Sequence, residues 1–200
     1  MAGALGQAKG SALGTVARAR AALAAEFAER HGARRWHADR RDVLKDAMRR
    51  GESGGGPMAD FGCHRIEVLL DLMGPVAEAH GFPATSAFRE REVEDTCVAH
   101  LRFRSGAVAV LAVTHAASEP RDTLEIFGTR GSAHVGVLNQ GALRVVTGAG
   151  TRQERHPPHS NLHLPLVEDF VAALRESREP AVTGEVGLEV ARVVAGIYGL

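Results

Sequence analysis

The stretch TCVAHLRFRSGAVAVLAVTH (Thr96–His115) decides the fold, because its apolar residues recur at every second position. Four of them fall on one face of an extended chain: Cys97, Ala99, Leu101 and Phe103. This period of two is typical of a half-buried strand. A Ser-Gly turn at residues 105–106 separates this strand from a second apolar run. The stretch therefore predicts an antiparallel β-hairpin.

The sequence that follows repeats the hairpin pattern. TLEIFGTRGSAHVGV (123–137) reads as strand, glycine turn and strand, and ALRVVTG (142–148) predicts one strand more. GAGTRQERHPPHSN (148–161) is polar and interrupted by proline, so a loop is predicted there.

Helical patterns flank these strands. In SGGGPMADFGCHRIEVLLDLMG (Ser53–Gly74), apolar residues recur at helical spacing up to a Gly-Pro stop at 74–75. PLVEDFVAALRES (165–177) and GLEVARVVAGIYG (187–199) predict two closing helices. We expect an α+β fold with an open, mostly antiparallel sheet whose helices cover one face. The other face of the sheet also needs to be covered, and a second copy of the chain could cover it. We therefore expect a homo-oligomer.

Composition restricts the class of protein. The chain has 200 residues, is 44% hydrophobic and has a formal net charge of zero, which weakens a nucleic-acid partner. No apolar run approaches the ~20 residues that span a bilayer, so no membrane partner is expected. The two cysteines, Cys63 and Cys97, have no zinc spacing and read as buried thiols, as expected in a reducing cytoplasm.

Asp60 and His64 are the candidate catalytic residues. Four residues apart on a helix, they share one face, where a carboxylate can orient an imidazole for proton exchange. A structural Asp–His contact explains the same spacing, and a zinc site lacks a third ligand at a recognisable spacing. The preceding Gly54-Gly55-Gly56 lacks the Lys-Ser/Thr of a P-loop, and serves either as a flexible lead-in or as a close approach to a ligand.

The remaining histidines offer weaker candidates. His156, His159 and His163 cluster in a predicted surface loop, where lining of a substrate pocket is the alternative. His100 and His134 lie in strand patterns and read as residues on a sheet face. Nothing in the sequence marks either cysteine as an activated nucleophile, and no Gly-x-Ser-x-Gly elbow is present.

Residues 53–200 closely resemble the second domain of the glucose–fructose oxidoreductase/inositol dehydrogenase (Gfo/Idh/MocA) family. The segment Ser53–Gly74 resembles the opening of that domain's large helix. LRFRSGAVAVLAVTH, DTLEIFGTRGSAHV and NLHLPLVEDFVAALRESREPAVTGEVGLEVARVV follow in the family's order.

The resemblance implies a substrate-binding and oligomerisation domain of an oxidoreductase that acts on a sugar or polyol. A Rossmann domain binds NAD or NADP in that family. By resemblance, His64 would exchange the proton of the substrate hydroxyl, and Asp60 would orient His64 or hydrogen-bond the substrate. The glycine run would pass close to the substrate and the nicotinamide.

Two features of the family are missing from the sequence. The family's Glu-Lys-Pro motif is missing, and neither lysine of the chain, Lys9 or Lys45, has its context. Residues 1–12 read as a loose arm, and residues 13–52 read either as the first part of the α+β domain or as a Rossmann remnant. We expect no complete Rossmann domain, and hence an incomplete dinucleotide site unless a separate nucleotide-binding domain is supplied. The alternative is a non-catalytic relative serving as a dimerisation or sugar-binding module.

Overall fold

The computed structural model describes residues 54–200, so the predictions for residues 1–12 and 13–52 lie outside the described residues. The described chain divides into two units. Residues 54–117 and Val182–Leu200 form one, which we call the helix unit, and Ser118–Ala181 form the other, the hairpin unit.

The helix unit contains three strands and three helical elements. A π-helical segment, Met58–Gly62, leads into α1, Cys63–Met73. The strands are β1 (Val76–Ala84), β2 (Thr96–Phe103) and β3 (Val108–Thr114), in the order β1-β2-β3 and antiparallel throughout. The last helix of the chain, α3 (Gly184–Tyr198), also belongs to this unit.

The hairpin unit contains a four-stranded antiparallel sheet in the order β4-β5-β6-β7. Its elements are β4 (Leu124–Gly128), β5 (Gly131–Val135), β6 (Ala142–Thr147), β7 (Gly150–Arg155) and the helix α2 (Leu164–Glu176). The predicted α+β class with open antiparallel sheets is confirmed, although the strands form two sheets. No helix between residues 54 and 200 is both long and apolar enough to cross a bilayer.

The core of the helix unit lies on one face of β2. Burial alternates along this strand as the sequence predicts, with Cys97, Ala99, Leu101 and Phe103 all buried. Helix α3 packs against β1, and α1 packs against α3. Burying large side chains such as Phe103, Leu101 and Ile66 stabilises the unit by about 1.5–3 kcal/mol each.

Two strands were not predicted from the sequence, and one of them lies where a loop was predicted. The loop predicted over residues 148–161 is wrong for Gly150–Arg155, which pairs with β6 as the edge strand β7. Most of its side chains are exposed, so no apolar alternation marks it. Strand β1 was not predicted, because Gly81 and Pro83 interrupt it. Gly81 is required by packing, since a Cβ there would lie 2.3 Å from Ile197 Cγ2.

The carboxylate of Glu94 joins three parts of the helix unit. This buried group accepts hydrogen bonds from the backbone N–H of Gly56 at 3.0 Å and of Met58 at 3.3 Å. It also accepts one from the hydroxyl of Tyr198 on α3 at 2.6 Å. Burial and this contact with Glu94 raise the pKa of Tyr198 above its ordinary value, so the hydroxyl remains a donor. Glu94 therefore fixes the start of the π-helical segment against the sheet and α3.

The next residue, Asp95, anchors a turn in the same way. Its fully buried carboxylate accepts the backbone N–H of Ser86, Ala87 and Phe88 at 2.7–3.1 Å and the hydroxyl of Thr96 at 3.0 Å. Burial alone would raise the pKa of this carboxyl, but the backbone donors outweigh it and hold the pKa well below its ordinary value. Two adjacent acids thus organise the segment that leads into β2.

We expect Gly56→Ala to destabilise the chain by about 1–3 kcal/mol, because overpacking forces the surroundings to move. The new Cβ would lie 2.1 Å from the carbonyl oxygen of Glu94 and 2.5 Å from its carboxyl carbon. Gly187→Ala is the matched control, since nothing lies within 4 Å of a Cβ in that exposed helical position. Urea denaturation of the three proteins measures the difference. Equal stability of Gly56→Ala and the original chain would contradict the described Glu94 contact.

Glu67 on α1 makes the stability depend on pH. Burial, reinforced by the carboxylate of Asp71, raises the pKa of Glu67 from 4.5 to about 7. Between these values the folded protein keeps a proton that the unfolded chain releases, so the free energy of unfolding falls as pH rises. We expect Glu67→Gln to remove much of this fall, as measured by thermal denaturation between about pH 5 and about pH 8. Glu90→Gln, at an exposed site, should keep the original profile.

Candidate functional site

Asp60 lies in the π-helical segment, on the surface of the helix unit. The N–H of Cys63 donates to the carbonyl of Met58, five residues earlier, while the N–H of Asp60 donates to the carbonyl of Gly56 at 3.1 Å. The Asp60 side chain remains 45% exposed. Single π-turns within helices are rare and occur frequently at functional sites. Asp60 therefore has a partly exposed side chain on a backbone that is held.

His64 is the second residue of α1, and its side chain is half-buried. It follows Asp60 by one turn in a continuous helical segment. The pairing of these two side chains in one active site stays a prediction. The α-helical spacing assumed for it is modified by the π-turn, which widens the helix between Met58 and Cys63.

The structure brings a third residue, His115, to this site. Its Nε2 lies 3.6 Å from Oδ2 of Asp60, and its side chain is only 6% exposed. Phe61 contacts the imidazole edge-to-face, with ring centroids 5.1 Å apart. The backbone N–H of His115 donates to the carbonyl of Asp95 at 2.8 Å. The imidazole is thus held beside Asp60 by packing and by its own main chain.

Sequence patterns did not single out His115. It ends the apolar run LAVTH, directly after β3, and looks like the residue at which a strand leaves the core. The one sequence feature that could have indicated it is a histidine directly after a strand of mostly apolar residues. The contact itself depends on β3 packing against the π-helical segment, which no local pattern contains.

The glycines before the site differ in their surroundings. Gly54 has φ +69°, in the region that favours glycine, and no atom of residues 54–200 is recorded within 4 Å of the position that a Cβ would take. At Gly55 a Cβ would lie 2.7 Å from the hydroxyl of Tyr198. At Gly55 the backbone therefore passes so close to the side chain of Tyr198 that only glycine fits.

Neither cysteine has the properties of a nucleophile. Burial, together with the Glu94 carboxylate, raises the pKa of the Cys97 thiol to about 11. The thiol is therefore protonated at neutral pH, and the prediction of a buried thiol is confirmed for Cys97. Cys63 is only half-buried, and its thiol donates to the carbonyl of Asp60 at 3.4 Å.

The other histidines named by the sequence patterns have surroundings of their own. His100 is exposed on β2, and His134 on β5 contacts Glu125 at 3.1 Å and Ser132 at 2.8 Å, so both are sheet-face residues as predicted. His156 is exposed beside Glu154. Among residues 54–200, no three His, Cys, Asp or Glu side chains gather in a way that could hold a metal ion.

Chemically, the site offers the exposed carboxylate of Asp60 with the imidazole of His115 beside it. A carboxylate accepts hydrogen bonds from the hydroxyls of a ligand, and an imidazole accepts or donates a proton near neutral pH. Together they can bind a polyhydroxylated molecule and move one proton of it.

Curated relatives match the chain by sequence, and two of them show the range. It is 27% identical over 146 residues to the 1,5-anhydro-D-fructose reductase of Ensifer adhaerens, across 70% of this chain and 44% of that protein. It is 26% identical over 144 residues to the myo-inositol 2-dehydrogenase of Thermotoga maritima, across 66% of this chain and 43% of that protein. The chain thus spans less than half the length of these relatives.

Solved structures share the fold. An aldose-aldose oxidoreductase from Caulobacter crescentus, complexed with glycerol, superimposes with a TM-score of 0.67 at 27% identity, over 75% of this chain and 46% of that one. A levoglucosan dehydrogenase in complex with NADH and levoglucosan gives a TM-score of 0.70 at 20% identity, over 78% and 50%. The second likeness shows the fold alone.

The family match agrees with the fold. Residues 9–134, which carry the π-helical segment, α1 and β1–β5 up to His134, match the GFO/IDH/MocA C-terminal domain. That match covers more than half of the chain. Its sheets are antiparallel and open, and its structural neighbours are oxidoreductases. The chain belongs to the GFO/IDH/MocA C-terminal domain family.

Proposed function

We propose that the chain is the substrate-binding and oligomerisation part of an NAD(P)-dependent oxidoreductase that acts on a CH–OH group of a sugar or polyol. Its curated relatives are a sugar reductase and an inositol dehydrogenase. Because the chain spans less than half of their length, the proposal includes a separate nucleotide-binding domain that completes the enzyme.

One observation carries the proposal. The Asp60 carboxylate is 45% exposed on a backbone that the buried Glu94 fixes, and an imidazole lies 3.6 Å from it. An exposed acid on an anchored π-turn can hold a hydroxyl-rich ligand in one orientation, and reaction rates depend on such orientation. His64, one turn further on, supplies the proton-transfer group.

The proposed reaction divides the work between these residues. In the oxidation direction, an imidazole nitrogen of His64 takes the proton of the reacting hydroxyl, and in the reduction direction it returns this proton to the carbonyl oxygen. Asp60 accepts a hydrogen bond from the substrate or orients His64, so that the reacting hydroxyl faces the imidazole. When bound, NAD(P) supplies or accepts the hydride at the carbon of the same CH–OH group.

The described residues fit the nicotinamide end of such a cofactor. No atom of residues 54–200 lies within 4 Å of a Cβ position at Gly54, and Asp60 is exposed nearby in the chain, so Gly54, Asp60 and His64 would border the ring. All sheet pairings described between residues 54 and 200 are antiparallel, whereas a dinucleotide pyrophosphate is bound by a parallel strand–helix–strand unit. The proposed nucleotide-binding domain would supply that unit.

His64→Ala tests the catalytic role. In the enzyme assembled with its nucleotide-binding domain, we expect turnover of the sugar or polyol to fall about 100-fold or more, because general acid–base catalysis contributes that much. The melting temperature should change little, since His64 is half-buried near the start of α1. NAD(P)H absorbance measures the turnover.

His156→Ala is the matched control, because this histidine is exposed in the hairpin unit. Turnover that survives His64→Ala would leave His64 with a structural role only. An assembled protein that binds the polyol yet transfers no hydride would instead favour the non-catalytic binding module.

We also propose that the chain self-associates through the outer face of the three-stranded sheet. This face, opposite to the core side of β2, exposes four large apolar side chains: Phe82 (74%), Val98 (42%), Val108 (68%) and Val110 (74%). Strand pairing places Phe82 beside Val98, and the ion pair of Arg102 with Glu78 borders them. The exposed His80 and His100 pair with each other on the same face, so its apolar side chains alternate with polar ones. Exposed apolar side chains gathered on one sheet face favour a protein–protein contact.

Val110→Lys tests this contact, because it places a charge among the exposed apolar side chains of the outer face, on the edge strand β3. We expect light scattering to show a dimer or larger oligomer at micromolar concentration, and the variant to dissociate at a concentration about tenfold higher or more. Glu90→Lys, at an exposed loop position, should leave the oligomer unchanged. A monodisperse monomer of the original chain would contradict self-association.

A further inference from the structure

His115 carries an unexplained cost. Its side chain is 94% buried, being 6% exposed, yet neither ring nitrogen has a hydrogen-bond partner within the part of the chain that the structure describes. A buried polar group left without a partner destabilises the folded state. Among the buried side-chain atoms of residues 54–200, the only comparable case is Nδ1 of His163. Such a group in a native protein needs an explanation.

The geometry of the ring supplies one. Nε2 of His115 lies 3.6 Å from Oδ2 of Asp60, just beyond hydrogen-bonding distance. A shift of less than about 1 Å brings the two atoms to the usual N–H···O distance. Phe61 contacts the ring at an interplanar angle of 86°, which restricts its orientation. The imidazole is therefore aimed at the one exposed carboxylate of the site.

We propose that His115 is a positioning residue for Asp60. When a hydroxyl-rich ligand binds, the Nε2–H of His115 donates to one oxygen of the Asp60 carboxylate, and the other oxygen accepts from a ligand hydroxyl. This inference rests on the proposed function, because it assigns to Asp60 the role of contacting the substrate. His115 itself touches neither the substrate nor the cofactor and acts through Asp60.

The physical gain is orientation. Holding a partly exposed carboxylate in the one rotamer that a ligand requires costs conformational entropy. A buried donor beside it selects one rotamer and leaves the second oxygen directed outward. A hydrogen bond to an ionised acceptor contributes more than a neutral one, so closing this contact in the complex offsets the cost of the buried ring.

The competing explanation is simple packing, in which the imidazole only fills space beside Phe61. The two explanations predict different variants. His115→Phe keeps a planar ring but has no donor, so it preserves packing and removes positioning. His115→Gln carries an amide nitrogen close to the position of Nε2, so it restores the donor. If the ring only fills space, His115→Phe keeps more activity than His115→Gln. If the ring positions Asp60, His115→Gln keeps more activity than His115→Phe.

The first experiment reads the ring directly in the full chain, without any activity. Long-range ¹H–¹⁵N spectra report which imidazole nitrogen carries hydrogen. We expect hydrogen on Nε2 of His115, and a change of its ¹⁵N resonance in the Asp60→Asn variant that is absent at His156. A ring with hydrogen on Nδ1 alone, or one that is unaffected by Asp60→Asn, overturns the proposal.

The second experiment measures kinetics in the assembled enzyme with a polyol substrate. We expect His115→Phe to reduce kcat/KM about tenfold or more without lowering the melting temperature, and His115→Gln to recover most of it. Full kcat/KM in His115→Phe overturns the positioning role. If the assembly transfers no hydride at all, the proposed function fails, and the spectra still decide whether His115 is coupled to Asp60.

Discussion

The buried carboxylate of Glu94 is the constraint on which the site depends. It accepts hydrogen bonds from two backbone N–H groups at the start of a helical segment, those of Gly56 and Met58. It also accepts a hydrogen bond from the hydroxyl of Tyr198. Removing it would leave these donors unpaired away from water, and each costs about 1–3 kcal/mol. Because Gly56 leaves no room for a Cβ beside Glu94, the glycine and the acid require each other. The position of Asp60 follows from this contact.

A second consequence comes from the neighbouring Asp95. Its side chain holds one turn, while its carbonyl accepts the N–H of His115, so a single residue fixes the main chain at the end of β3. Glu94 and Asp95 together place Asp60 and His115 on elements that cannot drift independently. Sites built on rigid elements keep their geometry better than sites on free loops. The backbone that carries the exposed Asp60 carboxylate is therefore held in place by the buried carboxylates of Glu94 and Asp95.

The period-two pattern around Leu101 and the helical pattern of α1 were sufficient to predict the class of fold, since both describe local burial. Strand β7 was not predictable in this way, because it is an edge strand that is held by backbone pairing and exposes most of its side chains. Asp60 and His64 came from spacing and resemblance, and their joint role stays a prediction. Glu94 looked like an ordinary loop acid, because its partners lie 36, 38 and 104 residues away.

The same reasoning explains why His115 stands out. Asp95, whose carbonyl accepts the N–H of His115, has a side chain that accepts from three successive backbone N–H groups and from the hydroxyls of Ser86 and Thr96. Hydrogen-bond donors and acceptors are therefore available near His115, and a shortage of them does not explain its unpaired ring. Natural proteins break local rules mostly where function requires it. An unsatisfied ring 3.6 Å from the only acid in the π-helical segment is therefore better explained by ligand binding than by folding.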